Sequence, residues 1–318
     1  MATGGDESWP RDRSQRPEET PGAWPGPSPE DARWVPPEAW TGGVIPETTS
    51  PRKPLHSARH IALAAALFAL TCASTWFSHG TAYAAAIMLI LTCHEMGHYV
   101  ACRRYGVRST LPLFIPMPVS PFGTMGAVIL MSQIRRERRT LFDIGIAGPL
   151  AGLVPSIAAV WWGLAHSSVT PKVLINFPGL RLGDSLFFLG MQKLMFPGLP
   201  RYQEVLLHPV AYAGWAGCFV TALNLLPVGQ LDGGHVTFGL LGRRSVWVGR
   251  IALAGLTGLA VWNPQWWVLV ALLALLLRVR HRIAIDEGRP LGRWRVALGI
   301  FVMAVLILFF TPRPFIGP

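Results

Sequence analysis

From residue 59 onward the chain is a succession of apolar runs, at 59–77, 81–103, 141–165, 208–228, 247–262, 265–279 and 294–311. A bilayer core about 30 Å thick takes about 20 helical residues per crossing, and a lipid-exposed backbone must satisfy its amides within its own helix. The expected fold is therefore an all-α polytopic membrane protein with about seven transmembrane helices. Composition agrees, with 51% hydrophobic and 14% charged residues, well outside the range of a water-soluble globule. Segment 185–198 (SLFFLGMQKLMFPG) is too short to cross and reads as interfacial or re-entrant,. The runs 247–262 and 265–279 are separated only by Asn263 and Pro264, which suits a tight helical hairpin.

The net charge of +11 could suggest a nucleic-acid partner. Its distribution argues against one. Residues 1–50 hold nine acids and four arginines, so the remainder carries +16, gathered beside apolar runs in the manner of juxtamembrane loops,. Residues 1–55 are rich in Pro, Gly and acids without an apolar period, and read as a disordered tail unlike a secretory or transit peptide,. Cys72, Cys93, Cys102 and Cys218 lie in or beside apolar runs without CxxC spacing, and read as packing residues,.

Loops rich in Lys and Arg stay on the cytoplasmic side. With the N-terminus inside, the inner stretches collect Arg52, Lys53 and Arg59, then Arg103, Arg104 and Arg108 with Arg135–Arg139, then Arg243, Arg244 and Arg250, then the arginines of 278–295. The outer loop, 166–207, has only Lys172, Arg181, Lys193 and Arg201. The expected location is a cell (inner) membrane, multi-pass, with a cytoplasmic N-terminus.

Within the second run, LTCHEMGHYVAC (Leu91 to Cys102) places three ionisable groups where lipid would exact a few kcal/mol each,. In HExxH on a helix, positions i and i+4 share a face. His94 and His98 can therefore point at one tetrahedral zinc ion, with Glu95 beside it as general base toward the water that zinc activates. Chance packing histidines are the alternative, and inside a lipid span they would need other compensation. A zinc hydrolase needs a third protein ligand, and outside the tail only eight acids exist,. Asp232, in NLLPVGQLDGGH (Asn224 to His235), falls at the same membrane depth as HEMGH. Pro227 and the glycines at 229, 233 and 234 are expected to break the helix there, as backbone lining a buried cavity can be irregular. His235 is a rival ligand, or a cap or support beside the site; Asp143 can instead cap or anchor the third span.

Taken together, HEMGH and NLLPVGQLDGGH resemble the site-2 protease family of intramembrane zinc metalloproteases. LPLFIPMPVSPFGTMGAVI (Leu111 to Ile129) resembles the hairpin that follows the HExxH helix in that family, and FDIGIAGPLAG (Phe142 to Gly152) the start of its third core helix. The resemblance covers about residues 59–240. It implies hydrolysis of a peptide bond in or near the transmembrane segment of a membrane-protein substrate, with one Zn2+ per chain on His94, His98 and Asp232, and Glu95 as base. It also implies that Asn224 holds substrate or oxyanion; an interhelical hydrogen bond explains Asn224 equally well. Gly123 and Gly126 followed by β-formers suit a membrane-dipping β-hairpin, to which, by the resemblance, an unwound substrate adds as a strand. GIAGPLAG and AYAGWAGC read as helix-packing surfaces.

The expected domains are the 1–55 tail, a catalytic transmembrane core over 56–240, and additional transmembrane helices over 241–318. No segment has the length or polarity of a PDZ domain, which matches a compact branch with cyanobacterial and plastid members. The alternative function is a catalytically silent zinc-binding membrane protein, a pseudoprotease or transporter. Against transport, spans three, five, six and seven are nearly free of ionisable residues,. A prenyl-protein protease would need a glutamate ligand from a later span, and none supplies one.

Overall fold

The computed structural model describes residues 57–131, 136–171, 181–200, 202–278, 285–286 and 290–316. The expected tail lies outside the described residues, as do residues 172–180 of the 166–207 loop.

Helix α1 (Ala58–Arg104) opens on Ser57, whose Oγ accepts from the His60 amide, and closes on Arg103 and Arg104, cations placed against the negative end of the helix dipole,. Its 47 residues would stretch roughly 70 Å as one rod, more than twice a bilayer core,. Gly80 prevents that. With φ 80° and ψ 178° it takes a conformation open to glycine and costly for other residues, so the element is two helices meeting at this position,. The two runs expected at 59–77 and 81–103 thus flank the observed break.

A β-hairpin follows, β1 (Leu113–Pro116) antiparallel to β2 (Thr124–Val128), with Leu113 opposite Val128 and a register shift between Phe114 and Pro116. The short strand β3 (Arg136–Glu137) leads into α2 (Arg138–Ala165). Half of the most apolar window of α2 is buried, against 22% for α1 and 17% for Asp232–Trp262, so α2 is the central helix. Beyond it, β4 (Ser168–Pro171), β5 (Arg181–Leu182), α3 (Leu186–Met195) and β6 (Gln203–Leu206) form an excursion in which β4 and β6 pair antiparallel. The excursion leads to α4 (Pro209–Asn224), then α5 (Asp232–Leu241), a 3-10 turn (Gly242–Arg244) and α6 (Ser245–Trp262). A second 3-10 turn (Pro264–Trp266) gives α7 (Trp267–Arg278), and the chain continues through β7 (Ile285–Asp286), α8 (Arg293–Phe309) and β8 (Phe315–Ile316). β7 pairs parallel with β3 and β8 antiparallel with β5. The main buried apolar cluster takes residues from Tyr83 to Phe309, on both sides of position 240.

The fold is helical with a small hairpin, as expected. Three helical segments of the described residues are long and apolar enough to cross a membrane: α1, α2 and Asp232–Trp262. The remaining runs form shorter helices, α4 with 16 residues, α7 with 12 and α8 with 17. The 208–228 run is shortened because its end unwinds at Leu225 into the loop 225–231. The expected break at Pro227 and Gly229 is there, but Gly233 and Gly234 lie in the first turn of α5, not in the break. They are needed for contact: a Cβ on Gly233 would run into the Leu225 carbonyl, so only this small residue lets the loop fold back on the helix it precedes.

Two side-chain clamps hold the helices that carry the site. Arg138, at the head of α2, donates from Nε to the Gly239 carbonyl (2.8 Å) and from Nη2 to the Leu240 carbonyl (2.9 Å), satisfying carbonyls at the end of α5 that have no partner within that helix,. Asp143 receives both Nε and Nη2 of Arg295 at 2.8 Å and the Tyr105 hydroxyl, tying α2 to α8 and to the end of α1,. Asp143 is thus an anchor.

Candidate metal centre

His94, Glu95 and His98 are 4%, 6% and 7% exposed, and the histidines occupy successive turns of one face of α1,. Asp232 enters from the first residue of α5, brought back by the 225–231 loop. His94 Nε2 lies 3.3 Å from Asp232 Oδ2, His98 Nε2 lies 3.2 Å from the same oxygen, and the two Nε2 atoms are 3.3 Å apart.

This triangle can be tested against zinc. Bonds of about 2.0–2.1 Å at tetrahedral angles separate neighbouring ligand atoms by about 3.3 Å. The three observed sides match that edge, so the residues present fit a zinc ion with one position left open. Among the described residues, this is the one group of three or more His, Cys, Asp or Glu whose ligand atoms converge. His235 stands outside it, one turn into α5.

The support around the ligands is specific. His98 Nδ1 is 2.8 Å from the Ile144 carbonyl, which can only accept, so Nδ1 carries the proton and Nε2 keeps its lone pair for metal,. Asn224, the last residue of α4, brings Nδ2 to 3.2 Å from His94 Nε2 and so sets an amide donor at the rim of the triangle. Of the residues expected at the site, His94, His98 and Asp232 converge, Asn224 reaches His94, and Glu95 is buried next to His94 on α1.

The sequence reading missed the partner of that face. Gly148 and Gly152 of α2 lie directly on the two imidazoles: a Cβ on Gly148 would collide with His98 Nε2, and one on Gly152 would stand 3.1 Å from His94 Cβ. GIAGPLAG is a packing surface, as expected, but what it packs against is the ligand set. The signal was available as small residues at 145, 148 and 152, a helical stripe matching the i, i+4 histidines,. The Ile144 carbonyl had no such signal, since a backbone acceptor leaves no mark on residue identity.

Two imidazoles and a carboxylate around an open position, with a further buried glutamate on the same helix, in a membrane-type helical fold, form a metal site of the HExxH type,. The chain belongs to Peptidase family M50, whose family description matches residues 82–252 and so takes in every residue of the site. It is similar to a probable chloroplastic zinc metalloprotease, EGY1, of Oryza sativa subsp. japonica, with 31% identity over 233 residues, 71% of this chain and 39% of the plant protein. EGY1 of Arabidopsis thaliana is 30% identical over 71% of this chain and 42% of its own length, and EGY2 of Arabidopsis thaliana 30% over 71% and 41%. The chain thus spans about two fifths of the length of these curated relatives.

Proposed function

We propose that this chain is an intramembrane protease that hydrolyses peptide bonds within or next to the transmembrane segments of membrane-protein substrates, using zinc held by His94, His98 and Asp232. The observation that carries the reading is the buried triangle of ligand atoms, with Glu95 one residue from His94 but outside the ligand set. Bound zinc would supply Lewis acidity, lowering the pKa of water and polarising the scissile carbonyl. Glu95 takes the proton from the attacking water and delivers it to the departing amine. The Asn224 amide, 3.2 Å from His94 Nε2, donates to the oxygen on which negative charge develops,. His98 is kept in its metal-binding tautomer by its proton on the Ile144 carbonyl. The hairpin offers the edge of β2 to an unwound substrate, whose amides must leave their own helix before water can reach them,. A catalytically silent zinc binder has no use for a carboxylate as buried as Glu95, whose desolvation is costly,.

The chain is read as crossing the membrane seven times, with α1 contributing two crossings on either side of Gly80. The segments are then a cytoplasmic 1–55 tail, the 56–240 core, and 241–318 as further crossings. The arginine distribution favours a cytoplasmic N-terminus in a cell inner membrane; the chloroplastic location belongs to the plant relatives by name,. The partners are the bilayer and a membrane-protein substrate.

The test is cleavage of a panel of tagged single-span membrane proteins in proteoliposomes. Cleavage should disappear on treatment with a zinc chelator and return when zinc is restored. Cleavage that survives complete removal of metal would sink the reading.

A further inference from the structure

At the Gly80 end of the part of α1 that carries the metal centre, a cavity of about 710 Å3 opens, with His79, Asp184, Phe188, Gln192, Glu204 and Tyr212 among its walls. It is about 20 Å along α1 from His94 by helical rise, and no catalytic residue lines it. Its size is that of a ligand site, and its lining mixes apolar side chains with the polar groups of His79, Asp184, Gln192, Gln203, Glu204 and Tyr212,. Those polar groups are unusual. Glu204 Oε2, on β6, is buried and among the described residues has no hydrogen-bond partner. A buried acceptor left in that state is costly, more so when charged, unless a ligand completes it. Partial desolvation at the cavity wall, with the charge of Glu204 adding to it, shifts the nearby Asp184 carboxyl above the usual carboxylate range. Two acids therefore line one cavity of mixed polarity in a chain whose net charge is +11.

The same walls grip the β1–β2 hairpin. His79 Nε2 (2.8 Å) and the Tyr212 hydroxyl (2.5 Å) both donate to the Pro121 carbonyl in its turn, while the Tyr83 hydroxyl donates to the Phe122 carbonyl (3.1 Å) and Ser74 Oγ to that of Gly123 (2.6 Å). A segment seated in the cavity lies beside the turn of the hairpin along which a substrate strand would run.

We propose that this cavity binds a lysine or arginine side chain on the flank of the substrate that emerges at the membrane face opposite the metal centre, its stem on Phe188 and its charge between Asp184 and Glu204. The identity of the ligand as substrate rests on the protease reading above; the cation preference rests on the two carboxylates. The 20 Å spacing is covered by about six extended residues or about 13 helical ones, so the basic residue falls 6–13 positions from the cleaved bond.

The test measures binding without chemistry. Full-length Glu95→Gln protein in phosphatidylcholine nanodiscs is titrated into fluorescein-labelled acetyl-Leu-Lys-Ala-Lys-Leu-amide, and into the same peptide with glutamate for lysine, by fluorescence anisotropy. The lysine peptide should bind and the glutamate peptide should not. Asp184→Asn with Glu204→Gln should weaken binding at least tenfold while zinc content is kept; should that double variant lose zinc, Asp184→Asn alone, at an exposed position, should still weaken binding about threefold. Equal binding of the two peptides, or unchanged affinity in the variants, overturns the proposal. So does calcium raising the Tm of the native protein but not of the double variant in the absence of any peptide binding, which would make the cavity an ion site. Peptide binding by a protein whose native form cleaves nothing would sink the protease reading and leave the cavity assignment standing. Cleavage by a native protein indifferent to the peptide would do the reverse.

Discussion

Glu95→Gln is expected to lower peptide-bond hydrolysis by about 10³–10⁴-fold while bound zinc stays at one ion per chain. General acid–base catalysis accounts for up to about 10⁴-fold in rate, and the amide can neither take a proton from water nor return it to the amine. The substitution keeps the size of a side chain that is 6% exposed, and it removes a buried carboxylate, so folding should hold or improve. The three ligand atoms are contributed by other residues. Zinc counted per chain, alongside cleavage of a transmembrane substrate, separates a lost base from a lost metal. Loss of zinc together with activity would mean that Glu95 supports the ligands and would remove it from the proton path.

Gly148→Ala is expected to fail in the opposite way, with zinc affinity down by about 100-fold or more and activity falling with it. In most helix interiors this exchange adds about 0.5–1 kcal/mol of stability, because alanine has less freedom to lose. Here the added Cβ would collide with Nε2 of His98, the end of a ring that its Nδ1 hydrogen bond to the Ile144 carbonyl holds in place. Overpacking of this kind costs about 1–3 kcal/mol, and whichever way the ring moves it leaves the tetrahedral edge or its Ile144 carbonyl. Gly258→Ala on α6 is the control, since a Cβ there meets nothing within 4 Å; it should keep zinc and melt no lower than the native protein. A Gly148→Ala protein that binds zinc normally would show that the α1–α2 contact is loose enough to relax.

What the sequence disclosed depended on whether the determinant resides in residue identity. HExxH states its own geometry once it is placed on a helix, and Asp232 was expected as third ligand from its matching depth, with His235 as a rival. Asn224 was read only through resemblance, and the structure puts its amide at the rim of the triangle. The crossings were legible as apolar runs, but helix lengths were not. Hydropathy extends through Leu225 and Leu226, whereas the backbone leaves the helix there so that Asp232 can turn back toward α1. Gly148 and Gly152 were seen as small residues and assigned to helix packing, since nothing in their own stretch names the imidazoles opposite. Asp184 and Glu204 carried no reading of their own in the sequence, and folding placed both on one cavity.

The ligands His98 and Asp232 stand 134 positions apart in the chain. A ribosome that has delivered the histidines to the membrane has most of the remaining core still to make, and until α5 arrives the HExxH helix has two imidazoles and no carboxylate. The three-residue site is therefore completed only after α2 and α4 have been made.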